Sequence, residues 1–347
     1  MSGGIAARVR RGMKDQIVYL FLLLVLVVAA VVSPQFFQPA NLFNILRQAA
    51  AIGILAIGQT IVVVAGGIDL SVAAVMQLSG VTVAEITGGQ DALVALAIPL
   101  CLAMGLLIGL GNGLLVTKRR VQPFIATLFV GLLVTGLRLL VTRATPSGVL
   151  PPAIRAFGRG TVGPIPVAVL LFALVAVLAS FVLRRTTLGR RIYAVGGNAA
   201  SAELSGVRVD RITVTSYLLS GLLAAVAGIV LVGYLGYADQ EIGVGYDLDS
   251  IAAVVVGGAV LGGGRGRVSG TVAGVLLMAT LLNIVLLLNL KVDYQLVVRG
   301  AVILAAVALY SLSGAWAPRR RAPRCPVPGG EAAAGPQGSA EGGGPDA

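Results

Sequence analysis

The feature that most constrains this chain is a series of apolar stretches, each about as long as a membrane crossing, separated by short basic patches. A helix needs about 20 apolar residues, within a range of roughly 17 to 25, to cross the hydrocarbon core of a bilayer. Such stretches run over Gln16–Val32, Leu42–Ala65, Leu70–Ile86, Ala92–Val116, Pro123–Val141, Ile165–Leu183, Ile212–Gly236, Val268–Leu290 and Gln295–Leu312. A tenth, Ser250–Leu261, is too brief to cross in standard form and reads as a half-helix, tolerated only where protein buries it. Lipid offers the backbone no hydrogen-bond partners, so helices satisfy it internally. The predicted fold is an all-α, polytopic transmembrane helical bundle of about 10 helices, one of them short or half-spanning. Gln16–Val32 follows a basic start like a signal peptide, but Ser33-Pro34-Gln35 offers no small-residue cleavage site. It reads as the first membrane helix.

Composition agrees. Charged residues make up 12% of the chain, against roughly a quarter in soluble domains, and 57% is hydrophobic. The net charge of +12 invites a nucleic-acid reading, but the basic residues sit between apolar blocks, as the positive-inside rule arranges them. With the N-terminus in the cytoplasm and all ten blocks crossing, 19 of the 26 Lys and Arg residues fall inside. They lie before the first helix, at Lys118–Arg120, from Arg184 to Arg211, at Arg265 and Arg267, and in the tail. Glu85, Asp91, Asp239, Glu241, Asp247, Asp249 and Asp293 fall outside or near the outer end. Both termini are therefore expected in the cytoplasm. The expected division is a basic N-terminus at 1–15, a membrane domain at 16–313 with a cytoplasmic loop at 184–211, and a disordered cytoplasmic tail at 314–347, rich in Pro, Gly and Ala.

There is no histidine, and the two cysteines, Cys101 and Cys325, imply no disulfide framework. Zinc sites, Ser-His-Asp triads and histidine proton relays are excluded. No nucleophile–base pair or metal cluster stands at plausible spacing, so no enzyme and no resident cofactor is expected. Gly105/Gly109, Gly109/Gly113 and Gly270/Gly274 fit small-xxx-small helix contacts, or reflect only the abundance of glycine, which occurs 47 times.

Three stretches carry more information. In Gly58-Gln59-Thr-Ile-Val-Val-Val-Ala-Gly66-Gly67-Ile-Asp69-Leu-Ser71, two glycines and an acid interrupt a long apolar run. A carboxylate in a membrane is expensive and is tied to donors or a watery cavity. Asp69 stands where an N-cap would be wanted, and a capped tight turn and a place on the solute path both remain open. In the second stretch, Asn198 is a good N-cap, Ala199–Ser205 favours helix and Gly206 suits the C′ position. That predicts about two turns of helix in the longest cytoplasmic loop. The third stretch, Gly243 to Gly270, includes Asp247, Asp249, Gly257 and Gly258 and a glycine cluster. It lacks the Gly-Lys-Ser/Thr frame of a phosphate-binding loop.

Together these stretches resemble the permease subunits of the ribose/galactose/xylose class of ABC importers, a family that includes autoinducer-2 permeases. The residues that carry the likeness are Asn41-Leu-Phe-Asn-Ile-Leu-Arg-Gln48, Gly66–Ser71, Asn112-Gly-Leu-Leu-Val116, Pro123–Leu128, Thr187–Arg190, Tyr193–Asn198, Ser205–Val207, Gly257-Gly through Gly270-Thr, and Asn283. Family members commonly have Glu where Asp247 stands. The resemblance implies a homodimer or heterodimer of permeases, two ABC ATPase subunits that hold ATP and Mg, and a periplasmic or lipoprotein solute-binding protein delivering a sugar or sugar-like solute. It makes Leu188–Val207 the coupling region, with Leu188, Gly189, Arg190, Gly197, Asn198, Ala199, Ala200, Ala202, Glu203, Ser205 and Gly206 facing the ATPase. Gln59, Gly66, Gly67, Asp69, Ser71, Asp247, Asp249, Gly257 and Gly258 are expected at helix breaks or on the translocation path. The rival reading is an ion-coupled secondary transporter of small solutes, which calls for ionisable groups at mid-membrane and paired broken helices. Asp69 is the only acid inside the blocks away from their outer ends.

Overall fold

The computed structural model describes residues 18–31, 33–143, 145 and 149–288, together with positions 294, 297, 300, 301 and 304. The expected N-terminal segment, the last apolar block and the tail with Cys325 fall wholly or largely outside the described residues. Most of the rest is helix: α1 (Val18–Val31), α2 (Pro39–Val64), α3 (Val72–Thr87), α4 (Val94–Thr117), α5 (Pro123–Val141), α6 (Pro152–Arg159), α7 (Val167–Arg185), α8 (Thr187–Gly197), α9 (Ala199–Leu204), α10 (Val209–Leu235), α11 (Tyr246–Val256) and α12 (Val268–Leu287). A two-residue antiparallel hairpin, Thr161–Val162 with Ile165–Pro166, precedes α7. Among the described residues, six helices (α2, α4, α5, α7, α10 and α12) are long and apolar enough to cross a membrane, and α1 and α3 are shorter apolar helices. The chain is an all-α, multi-pass membrane protein.

α2 is the axis of the bundle. It begins on Pro39, whose fixed φ and missing N–H suit the first helical position. At 26 residues it is about 39 Å long, and 83% of its apolar window is buried. α10, α12, α7 and α11 surround it. Lipid gives no hydrophobic drive to helix association, so close approach has to supply the packing. Glycine supplies it here. A Cβ at Gly105 would overlap the carbonyl of Gly221, one at Gly109 the carbonyl of Tyr217, and one at Gly113 would lie 2.8 Å from the Cα of Val214. The α4 glycines are thus a true contact face against α10. Gly270 and Gly274 do the same for α12 against α11, meeting the carbonyls of Gly257 and Ala253.

Three sequence expectations shift. The block read as Leu70–Ile86 starts later, because Leu70 and Ser71 belong to the break and α3 begins at Val72. The loop read over 184–211 is largely helical. α8 starts on Thr186, whose hydroxyl accepts from the Gly189 amide (3.3 Å), and buries Ile192 and Val195. The expected half-helix forms as α11, over Tyr246–Val256 rather than Ser250–Leu261, because the glycines from Gly257 on end it. Its 11 residues are about 16 Å long, roughly half the hydrocarbon thickness.

Candidate functional site

α2 ends because Gly66 turns the chain at φ 93°, a value that favours glycine. The residues after it stay unwound yet mostly buried, so their backbone groups need partners. Gln59 provides two. In the amide orientation that pairs each atom with a complementary one, it donates to the Asp69 carbonyl (3.1 Å) and accepts from the Asp69 amide (3.3 Å). Thr127 on α5 accepts from the Leu70 amide (3.0 Å), and its hydroxyl lies 3.3 Å from the Ile68 carbonyl. The Tyr217 hydroxyl on α10 donates to that same carbonyl (3.3 Å).

The Asp69 side chain, 1% exposed, ties the break to α3 and α4 and again to α10. Its Oδ1 accepts from the Ser71 amide (3.0 Å) and hydroxyl (2.7 Å), and its Oδ2 from the Ser220 hydroxyl on α10 (2.9 Å). Asn112 on α4 donates to Ser71 Oγ (2.7 Å) and more weakly to Asp69 Oδ1 (3.4 Å). Asp69 is therefore not the N-cap of α3. That position is Ser71, and Asp69 holds its amide from two residues upstream in a turn outside the helix. The carboxylate is the centre of a clasp joining α2, α3, α4 and α10. A Cβ at Gly67 would lie 2.5 Å from the Tyr217 hydroxyl, so Gly67 leaves room for the clasp.

Asp247 and Asp249 lie in the first turn of α11, where the helix dipole favours acids. Asp249 is buried and Asp247 half-buried. Gly257 is the close contact with Gly270, and Gly258 turns the chain at φ 88°.

The α8–α9 segment is built as its caps require. Asn198 Oδ1 accepts from the Ser201 amide (3.1 Å) at the start of α9. At its end Val207 N–H reaches the Ala202 carbonyl (3.0 Å) and Gly206 N–H, at φ 78°, the Glu203 carbonyl (2.9 Å), a Schellman closure. Ala202 is 4% exposed and anchors α9 on the bundle, so it does not face outward with the other small residues. Ala199, Ala200, Glu203, Ser205 and Gly206 are exposed, and so is Leu204, at 91%. In α8, Gly189 is buried against the carbonyls of Val182 and Leu183, Leu188 packs on the core, and Arg190 is exposed.

Glycines join this segment to the break. A Cβ at Gly196 would overlap the carbonyl of Val64, the last residue of α2. Gly264 donates its amide to that carbonyl (2.9 Å), and a Cβ at Gly263 would lie 2.7 Å from the Gly196 carbonyl and 2.8 Å from the Gly66 Cα. Tyr193 donates to the Gly266 carbonyl (2.7 Å). Burial pushes its phenol up, with Arg184 and Arg267 opposing, so it stays a neutral donor.

Asn112 and Thr127 lie within motifs visible in the sequence, but nothing local marks them as partners of Asp69. Ser216 and Ser220 recur at helical spacing in an apolar block, which is the available signal for a polar face on α10. Arg138 on α5 is 3% exposed and donates to the Gln240 side chain and carbonyl.

Residues 41–307 match the family described as branched-chain amino acid transport system / permease component. The chain is 44% identical over 294 residues to the ribose import permease protein of Bacillus subtilis (strain 168), covering 84% of this chain and 91% of that one. It is 37% identical to the galactofuranose transporter permease protein of Escherichia coli (strain K12), covering 84% and 87%. The D-allose transport system permease protein of the same organism is 35% identical, covering 83% and 90%. No solved structure matches the chain at a significant level. Matched along most of its length by the family and by these relatives, the chain belongs to this family of transport-system permease components.

Proposed function

We propose that the chain is the membrane-spanning permease subunit of an ATP-binding-cassette importer for a sugar or sugar-like solute, in the bacterial inner membrane. The observation that carries this reading is the 44% identity to a ribose import permease over nine-tenths of that protein, together with a capped, outward-facing α9. ATP and Mg are held by two separate ATPase subunits, a second permease chain completes the path, and an extracytoplasmic binding protein delivers the solute. Both termini lie in the cytoplasm, with the basic segment 1–15 and the tail 314–347 there too.

In this reading α9 is the docking helix. Ala199, Ala200 and Glu203 meet the ATPase groove with Leu204 as an apolar anchor, and Asn198, Ser205 and Gly206 hold the helix in shape. Movement of α8–α9 reaches α2 through Gly196 and Gly264 on Val64, and so reaches the Asp69 clasp. The acids of α11 and the break at Gly66–Ser71 border the translocation path. Proteoliposomes containing the permease, its ATPase and ATP should take up solute from the binding protein. Uptake driven by a sodium or proton gradient without the ATPase would overturn the assignment.

A further inference from the structure

A positive patch forms where α7, α8 and the start of α12 meet, apart from the clasp and from the outward face of α9. α7 has 19 residues and is about 28 Å long, close to the roughly 30 Å of a hydrocarbon core, so its last turn reaches headgroup level. Only 17% of its apolar window is buried by protein. Its exposed stripe runs through Leu174, Val177, Leu178 and Phe181, at i, i+3, i+4 and i+7. The next positions on the same stripe, i+10 and i+11, are Arg184 and Arg185, both exposed. The helix face most open to hydrocarbon thus ends on two cations.

The structure gathers further groups around Arg184. Its Nη2 donates to Ser269 Oγ (3.3 Å) in the first turn of α12. Arg184 and Arg267 both oppose the upward push of burial on the Tyr193 phenol, so the two guanidiniums lie on the same flank of α8. Tyr193 in turn holds the Gly266 carbonyl, one residue before the exposed Arg267. No acid occurs from 92 to 202 or from 250 to 292, so α7, α8 and α12 bring no carboxylate of their own to these arginines. Glu203, the next acid along the chain, is exposed on α9. Like charges drawn together repel, and an anion between them turns that cost into attraction.

We propose that the adjoining ends of α7 and α12 form a headgroup site for one anionic phospholipid. The phosphate accepts from Arg184 and Arg267, whose planar forks suit two oxygens of one group, with the Ser269 hydroxyl beside them. An acyl chain lies along Phe181, Leu178 and Leu174. Charge selects the lipid class, because the ammonium of a zwitterionic headgroup cancels the charge that the arginines attract. An acidic protein surface would answer the cations but not the apolar stripe that leads into them. The bound lipid braces the turn before α12, which Tyr193 holds from α8.

The test uses full-length permease extracted into mild detergent and equilibrated with equal amounts of phosphatidylglycerol and phosphatidylcholine, with retained lipid read by native mass spectrometry. A basic residue at an anionic lipid surface contributes about fivefold, so two arginines should give the wild type a preference for phosphatidylglycerol of about 25-fold. Arg184→Gln alone should lower it about fivefold, and Arg184→Gln with Arg267→Gln should bring it close to parity. Both side chains are exposed, so the melting temperature should hold, and the single variant carries the test if the pair does not fold. Arg119→Gln with Arg120→Gln removes the same charge from the exposed turn after α4 and should leave the preference intact. Equal retention of the two lipids by the wild type would overturn the proposal, as would an equal loss in the Arg119 and Arg120 pair, which would mean diffuse attraction. So would a loss of ATPase co-purification in the Arg184 and Arg267 pair with lipid preference unchanged, which would assign the patch to a protein partner. Transport is not measured, so failure here is distinct from failure of the proposed function.

Discussion

Gly264 donates its amide to the carbonyl of Val64 across 2.9 Å, and Gly196 packs on the same oxygen so closely that no Cβ fits between them. The last residue of the central helix is thus gripped by the amphipathic α8 and by the turn before α12. A helix C-terminus normally leaves its carbonyls to water or a cap. Here one of them is a mechanical joint. Gly196→Ala should disturb this joint without touching the exposed face of α9. Overpacking of this kind costs about 1–3 kcal/mol, enough for roughly a tenfold fall in uptake. Co-purification of the ATPase should be unchanged, and transport per ATP hydrolysed is the quantity to compare.

The Asp69 clasp predicts graded mutant behaviour. Asp69→Asn keeps an acceptor for the Ser71 amide and should be mild. Asp69→Leu strands Ser71, Ser220 and Asn112, and a buried polar group left unmade costs about 1–3 kcal/mol. For a chain of this size that corresponds to a fall of roughly 1–4 °C in melting temperature. Normal stability in Asp69→Asn with transport abolished would show that the charge itself serves the solute path.

Much of this is legible in the chain because it is local. Asn198, Gly206 and the small residues between them specify α9 within nine positions, and both caps form as their residue types require. The length of each apolar block likewise fixes most helices to within a few residues. α8 is harder to see because its flanking arginines and glycines read as a solvated loop, although Leu188, Ile192 and Val195 mark one face at i, i+4 and i+7. The pairing within the clasp is not legible, since Asn112 and Ser220 are 43 and 151 positions from Asp69. Asp69 resembles a cap for the same reason: the order of residues records neighbours along the chain and not those packed across it.

Topology gives an independent check. In a Cys325→Ser background, a cysteine at Thr161, exposed on the hairpin, should react with an impermeant thiol reagent in spheroplasts. One at Glu203, exposed on α9, should react only after the membrane is opened. The buried Cys101 should stay silent in both cases. Labelling of Glu203→Cys from outside would invert the orientation.

The account turns on α9 as the place where force enters, and Ala200→Arg tests that most directly. Ala200 is exposed, so the substitution changes the outward face and leaves the Ala202 anchor and both caps in place. The measurement is co-purification of the ATPase with the permease, read alongside ATP-driven uptake in proteoliposomes. The account predicts normal membrane insertion and normal pairing of permease chains, with ATPase recovery and uptake both lost. Intact ATPase binding and intact uptake in Ala200→Arg would contradict it.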